Sequence, residues 1–324
     1  GRMVAGRDSV VLPVPVEAVR PPPASASFPV AQLSPLVTSN EEFYRIDTAL
    51  SVPRIDLSSW TLRVHGMVDR PYEITFDELL DMDMVERYVT LSCVSNEVGG
   101  MLVDNAKWLG VPLREMLDRA GVQDGAGQVV GRAEGFTVGF PTEAVYDGRD
   151  ALVAVGMNDE PLPFEHGFPA RLVVAGLYGY VSATKWLTDI ELTTWEAFDA
   201  YWVPRGWSKE GPVKTQSRID TPRNGSSLRP EPRAIAGVAW APNVGIQRVE
   251  VQIDDGDWMD AELAEALDRD TWRQWMLPWT PTEGEHLIRV RATDASGYTQ
   301  TQEVARPAPN GATGWHTIGV SVGA

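Results

Sequence analysis

Tyr88-Val89-Thr90-Leu91-Ser92-Cys93-Val94-Ser95-Asn96-Glu97-Val98-Gly99-Gly100 holds the only cysteine among 324 residues. Tyr88 to Leu91 are β-formers, and Ser95, Asn96, Gly99 and Gly100 are loop residues. The pattern predicts a strand that runs out into a polar, glycine-relaxed loop, with the thiol at the strand end. Strand ends that feed loops are where sites are built. A lone cysteine is more often a small buried hydrophobe than a ligand. A purely structural thiol, however, needs no Ser-Asn-x-x-Gly-Gly loop behind it. A thiolate metal ligand needs close backbone approach and nearby donors.

Upstream, Trp60 to Val68 alternates as a strand and Pro71 to Thr75 continues it after an Asp69-Arg70 turn. Thr75 and Glu78 form a capping box that predicts a helix over Phe76–Leu80. Downstream, Ala106 to Leu113 leads into a helix with apolar positions Leu113, Met116, Leu117 and Ala120, closed by Gly121. Strands over Gly135–Phe140 and Ala151–Val155 alternate loosely with short helices. This part of the chain, residues 38–207, therefore reads as mixed α+β.

Residues 1–37, with Pro13, Pro15, Pro21, Pro22, Pro23, Pro29 and Pro35, read as an extended leader that lies on the surface. Residues 208–232 are polar and rich in Pro and Gly, as a linker is. Residues 233–324 carry short alternating strands, Ile235–Trp240, Ile246–Ile253, Trp272–Leu277 and His286–Ala292. The turns Asp255-Gly256 and Ser296-Gly297 punctuate them at β-sandwich spacing, with Trp258, Trp272, Trp275 and Trp279 as core.

A net charge of −17 disfavours a nucleic-acid surface, which needs Lys and Arg against phosphates. One cysteine excludes an internal disulfide, a cysteine-held iron–sulfur cluster and a C-x-x-C-H haem site, so any electron partner of a redox chemistry lies outside this chain. His65, His166, His286 and His316 contain no i,i+4 pair for a zinc helix. There is no P-loop, and Gly125-Ala126-Gly127 lacks a third glycine at dinucleotide spacing. No run approaches the roughly 18 apolar residues of a membrane helix.

Four blocks in order over residues 38–205 resemble the sulfite oxidase family of molybdopterin enzymes. They are Asn40-Glu41-Glu42-Phe43-Tyr44, Ser92-Cys93-x-x-Asn96, the run Pro161 to Val174 with His166 and Arg171, and Tyr178-Gly179-Tyr180 through Lys185-Trp186-Leu187. The resemblance implies an α+β molybdopterin-binding domain followed by an immunoglobulin-like β-sandwich that pairs subunits. It implies that Cys93 ligates molybdenum, where a soft thiolate suits a metal already held by cofactor sulfurs. It places Asn40, Phe43 and Tyr44 along the pterin or its phosphate. It adds Ser95, Asn96, Thr142, His166, Arg171, Ser182, Ala183, Thr184 and Lys185 as cofactor-binding positions. The always-charged planar fork of Arg171 suits a phosphate, and the hydroxyls and ammonium of the last block suit the same end.

The chain also departs from the family. Sulfite oxidases follow the Asn of the cysteine loop with arginine, and here Glu97 follows Asn96. A carboxylate beside the metal repels a sulfite dianion. Arg45 and Arg149 are the alternative anion contacts. The expectation is oxygen-atom transfer at molybdenum on a small substrate other than sulfite, such as a sulfoxide or N-oxide. Electrons are exchanged with an external carrier, a cytochrome or a membrane redox subunit. A chain opening on Gly1 is further expected to be the extracytoplasmic portion of a membrane-anchored protein. Two rival readings are a cofactor-free β-sandwich adhesion protein and an enzyme with Cys93 as nucleophile beside His166.

Overall fold

The computed structural model describes residues 6–324. Its frame is a five-stranded sheet in which Val85–Ser92 pairs with Val103–Pro112, which pairs with Ala151–Met157; the short strand Glu160–Pro161 and Arg171–Val174 both add to the last of these. Alternation assigns the two faces of Val85–Ser92. Val85, Val89 and Leu91 pack on Phe43, Trp108 and Phe168. Thr90, on the opposite face, bonds Asn105 and accepts the Trp272 N–H at 2.7 Å. The strand that delivers Cys93 is thus pinned from both sides.

A second five-stranded sheet runs in the order Tyr72–Thr75, Thr61–Gly66, Asp189–Thr193, Gln128–Ala133, Phe136–Pro141, and only its Thr61–Gly66/Asp189–Thr193 pair is parallel. Helix Leu113–Ala120 fills the space beside it. Its Leu113, Met116, Leu117 and Ala120 recur at i, i+3, i+4 and i+7 and are all 0% exposed. Gly121, at φ +71°, closes it by donating to Leu117 O, a left-handed cap that favours glycine. Thr75 caps helix Phe76–Leu80 by accepting the Glu78 N–H at 3.2 Å.

The C-terminal part is two facing sheets. One runs Gln216–Thr221, Arg233–Trp240, Arg273–Trp279, Glu262–Leu263; the other runs Ser227–Leu228, His316–Val322, Gly284–Asp294, Ile246–Ile253, Met259–Asp260. Ile235, Val249, Val251, Trp275, Ile288 and Ile318 fill the space between. Trp272 instead packs with Trp240, Val103 and Val238 in a cluster shared with the first part.

Three expectations are corrected. Helical content is lower than an α+β reading anticipates: among the described residues the longest α-helix, Leu113–Ala120, has eight residues, and strands make up most of the regular structure. The Pro-rich leader does not merely lie on the surface. Ala26 and Leu36 are buried against Trp240 and Trp272, since prolines interrupt helix but leave small and apolar side chains free to pack; residues 1–5 of that leader lie outside the described residues. The expected linker contains a full strand, Gln216–Thr221, which pairs with Arg233–Trp240 and buries Arg218 at 2% exposure. Its polar side chains are held in a seam: Arg218 bonds Asp220 at 2.6 Å, Ser34 at 2.9 Å and the Gly100 carbonyl at 3.1 Å.

Candidate functional site

Cys93 is the first residue beyond strand Val85–Ser92, and its N–H continues the ladder to Leu102 O at 2.9 Å. Asn96 closes the loop, accepting the Leu102 N–H on Oδ1 at 2.9 Å. Gly99 lies at φ +77°, and a Cβ there would stand 2.4 Å from the His316 ring. Gly100 has no more room: a Cβ would meet Asn96 Oδ1 at 2.4 Å. The two glycines are therefore required by close approach, and they let the C-terminal sheets grip the loop that aims the thiol.

The thiol faces a cleft of about 1060 Å³, counting the space open at its mouth, with Tyr44, Ser95, His166, Arg171 and Lys185 in its walls. Burial pushes the Cys93 thiol up, against hydrogen bonding to Ser95 that lowers it, so the metal-free side chain is a neutral thiol. Tyr44 is raised by burial and by the charge of a Cys93 thiolate, and Arg171 opposes this.

Tyr44 is held by Asp104, which accepts its N–H at 2.7 Å, in a turn where Phe43 N–H reaches Ser39 O. Phe43 is buried, stacked on Tyr44 at 5.3 Å and edge-on to His166 at 5.6 Å. His166 ends a short turn that glycine continues: Gly167 sits at φ +109°, with a would-be Cβ 3.0 Å from the Lys185 Cβ. The His166 Nε2–H donates to the Asn40 carbonyl at 2.8 Å. Burial, then Arg171 and Lys185, push the imidazole down to about 4 despite that bond, so it is neutral at pH 7 with Nδ1 as an acceptor.

Arg171 is 5% exposed and donates to His166 O and Leu172 O, each at 3.3 Å. Among the described residues, no carboxylate stands within ion-pair distance of it. Burial lowers it to about 10, which still leaves it charged at pH 7. Lys185 pairs with Asp47 and donates to Glu165 O at 3.1 Å. Burial lowers it to about 8 in spite of Asp47. A buried cation without a counter-charge is costly to fold. Arg171 beside a cleft therefore fits an anionic ligand, Lys185 with its Asp47 partner adds a second donor to the same wall, and the thiol there fits a soft metal.

Not every position carried by resemblance reaches this cleft. The Asn40 amide turns away to Met157 O at 3.1 Å and Glu160 at 2.6 Å, and only its carbonyl serves the site, through His166. Thr142 donates to Ala126 O at 2.6 Å, beside helix Glu143–Tyr146 and outside the cleft walls. Ser182 is fully buried and donates to Tyr178 O at 3.0 Å. Thr184 Oγ1 is buried without a hydrogen-bond partner among the described residues and abuts Gly131, while neighbouring Ala183 lines the cleft. Glu97 is exposed and outside the walls, so the carboxylates facing the cleft are Asp47 and Glu134 instead. Arg45 pairs with Asp47, and Arg149 forks onto Asp147; neither lines the cleft. The cleft walls also carry the aromatic side chains of Phe136, Tyr180, Trp186, Trp202 and Trp207. The signal for them was the Trp density of residues 195–207, which strand and helix periodicity does not weigh.

Residues 49–202 match the model of the oxidoreductase molybdopterin binding domain. The chain is 35% identical over 157 residues to a Bacillus subtilis (strain 168) protein described as uncharacterized oxidoreductase YuiH, spanning 48% of this chain and 76% of that one. It is 27% identical over 341 residues to human mitochondrial sulfite oxidase, covering 88% of this chain but only 62% of the human protein. The solved sulfane dehydrogenase SoxCD from Paracoccus pantotrophus superposes with a TM-score of 0.75 at 25% identity, over 88% of this chain and 81% of that one.

Proposed function

The chain belongs to the sulfite oxidase family of molybdopterin-binding oxidoreductases, and on that premise we propose that it transfers an oxygen atom to or from a small uncharged substrate. The molybdenum cofactor, when bound, supplies a metal centre that changes oxidation state by two electrons and exchanges oxygen. Cys93 is the residue that would hold the metal, and coordination removes the proton that burial otherwise keeps on sulfur. Arg171 and Lys185 would hold the anionic end of the pterin. His166, neutral and locked by Asn40, offers an acceptor for a hydroxyl or N–H of the same ligand. Trp186, Trp202 and Trp207 line the same cleft as the thiol and would displace water from it when substrate is bound.

One observation carries the substrate reading. The cleft wall is largely aromatic and contains the exposed carboxylate of Glu134, whereas its two cations, buried Arg171 and half-buried Lys185, are the groups suited to the cofactor. An anion such as sulfite would approach Glu134 with no cation of its own. A sulfoxide or an N-oxide meets no such repulsion and gains apolar contact. The test is steady-state turnover of the cofactor-loaded protein with dye-coupled assays for a neutral sulfoxide, an N-oxide and sulfite. A higher kcat/KM for a neutral oxide supports the reading, and efficient sulfite turnover alone contradicts it.

Electrons are proposed to pass through an external one-electron carrier, a cytochrome or a membrane subunit, since the single cysteine leaves no ligand for a cysteine-held relay in this chain. The two C-terminal sheets are proposed to be an immunoglobulin-like sandwich that pairs subunits, which sedimentation velocity tests. An extracytoplasmic location with an anchor is likewise a proposal; among the described residues no helix is long and apolar enough to cross a membrane.

A further inference from the structure

Asp150, at the entrance to strand Ala151–Met157, meets Asp268 and Asp270 of the C-terminal part, with one carboxylate oxygen from each lying within 4.8 Å of the other two. The backbone forces this meeting. Asp270 O accepts the Thr90 N–H at 2.9 Å, and Asp150 O accepts the Ala175 N–H at 2.9 Å, so both halves of the cluster are tied to the frame that carries Cys93. Asp270 is 1% exposed. Its Oδ1 accepts the Asn243 N–H at 2.9 Å, but its Oδ2 is buried and has no hydrogen-bond donor among the described residues.

Nearby positive charge answers the three carboxylates only in part. Arg87 Nε reaches Asp150 at 3.2 Å while its Nη2 is bonded to Glu17. Arg269, between the two aspartates in sequence, donates to the Gly148 carbonyl at 3.1 Å. Arg149 is forked onto Asp147. Burial first, then Asp150 and Asp268, push the Asp270 carboxyl well above its ordinary range, against a smaller lowering by Arg269.

We infer that Asp150, Asp268 and Asp270 bind a calcium ion that clasps the molybdopterin-binding part to the C-terminal sheets. Hard oxygen donors select a hard cation. Calcium takes oxygens at about 2.3–2.6 Å in flexible geometry, so ligands on opposite sides of it stand up to about 5 Å apart, which this cluster accommodates. Exposed Asp268 leaves a side open through which the ion enters and water completes its shell. The clasp would hold the strand that ends at Cys93 against the loop that precedes Trp272, without touching substrate.

The test uses the full chain with its cofactor, dialysed against EDTA and titrated with CaCl2 by calorimetry, with thermal unfolding measured in parallel. Expected are one calcium per chain, a rise in unfolding temperature with CaCl2, and about tenfold or greater weakening in Asp268→Asn, because site affinity follows ligand charge count. Asp270→Asn is expected to abolish binding. Should Asp270→Asn not fold, Asp268→Asn decides, since that side chain is exposed. No calcium response in the wild type, or equal binding by the wild type and Asp268→Asn, overturns the inference. A wild type silent to calcium while Asp270→Asn unfolds at a higher temperature also overturns it, and assigns a shared proton to Asp150 and Asp270 instead. Each readout is separate from oxygen-atom transfer.

Discussion

The guanidinium carbon of Arg171 stands 5.0 Å from the centroid of the Trp108 ring, and that aromatic face, with two backbone carbonyls, is what the charge has in place of a carboxylate. The arrangement is suited to an anion that arrives later. Arg171→Met is therefore expected to separate folding from loading. The cofactor-free variant should be as stable as the wild type or more so by about 1 kcal/mol, because a buried charge has been replaced by an apolar side chain. Cofactor content should fall by about tenfold or more, the worth of one or two charged hydrogen bonds. Thermal unfolding and pterin fluorescence after acid release measure the two effects.

Acid should act on the buried histidines. His166 and His316 are each lowered to about 4 by burial, against an unfolded value of 6.5. Between those values the unfolded chain holds protons that the native chain does not, so stability falls as pH drops through the window from 6.5 to 4, and the whole contribution is present above 6.5. His166→Gln should have a shallower loss of stability over this window than the wild type. Urea midpoints at pH 7 and pH 4.5 provide the comparison, and parallel slopes would count against it.

The glycine loop should tolerate no side chain. Gly99→Ala places a Cβ 2.4 Å from the His316 ring at a φ of +77°. Left-handed strain alone costs about 1–3 kcal/mol. Because the same loop aims Cys93, metal content should fall together with the unfolding temperature. A variant as stable and as fully loaded as the wild type would show that the C-terminal sheets do not fix the loop.

In the cleft wall, Trp207 packs on Tyr180 with ring centroids 5.9 Å apart. Trp207→Ala should raise KM for an apolar oxide about tenfold, the scale of one lost apolar burial, with little change in kcat. Glu134→Arg should move preference toward sulfite by supplying a further cation to the cleft wall. Steady-state kinetics with both substrate classes check the pair.

Much of the frame was legible because local patterns were strong. The strand into Cys93, the Thr75 cap and the 3.6-period stripe from Leu113 to Ala120 each declare themselves within a few residues. Strand Gln216–Thr221 did not, because its buried members, Ser217 and Arg218, are polar and are satisfied by partners far away in sequence. The same limit applied to the site. Cys93, Tyr44, His166, Arg171 and Lys185 meet in one cleft. Asp47, the partner of Lys185, and the turn of the Asn40 amide toward Glu160 follow from three-dimensional packing that no motif records.

The most direct test of the account is molybdenum per chain, measured by mass spectrometry on wild type and Cys93→Ala purified from a host that makes the cofactor. The account predicts about one molybdenum per wild-type chain, with Cys93→Ala inactive because its metal is lost or left without its protein ligand. A wild type free of molybdenum under those conditions, or a Cys93→Ala variant with full metal content and full oxygen-transfer activity, would contradict it.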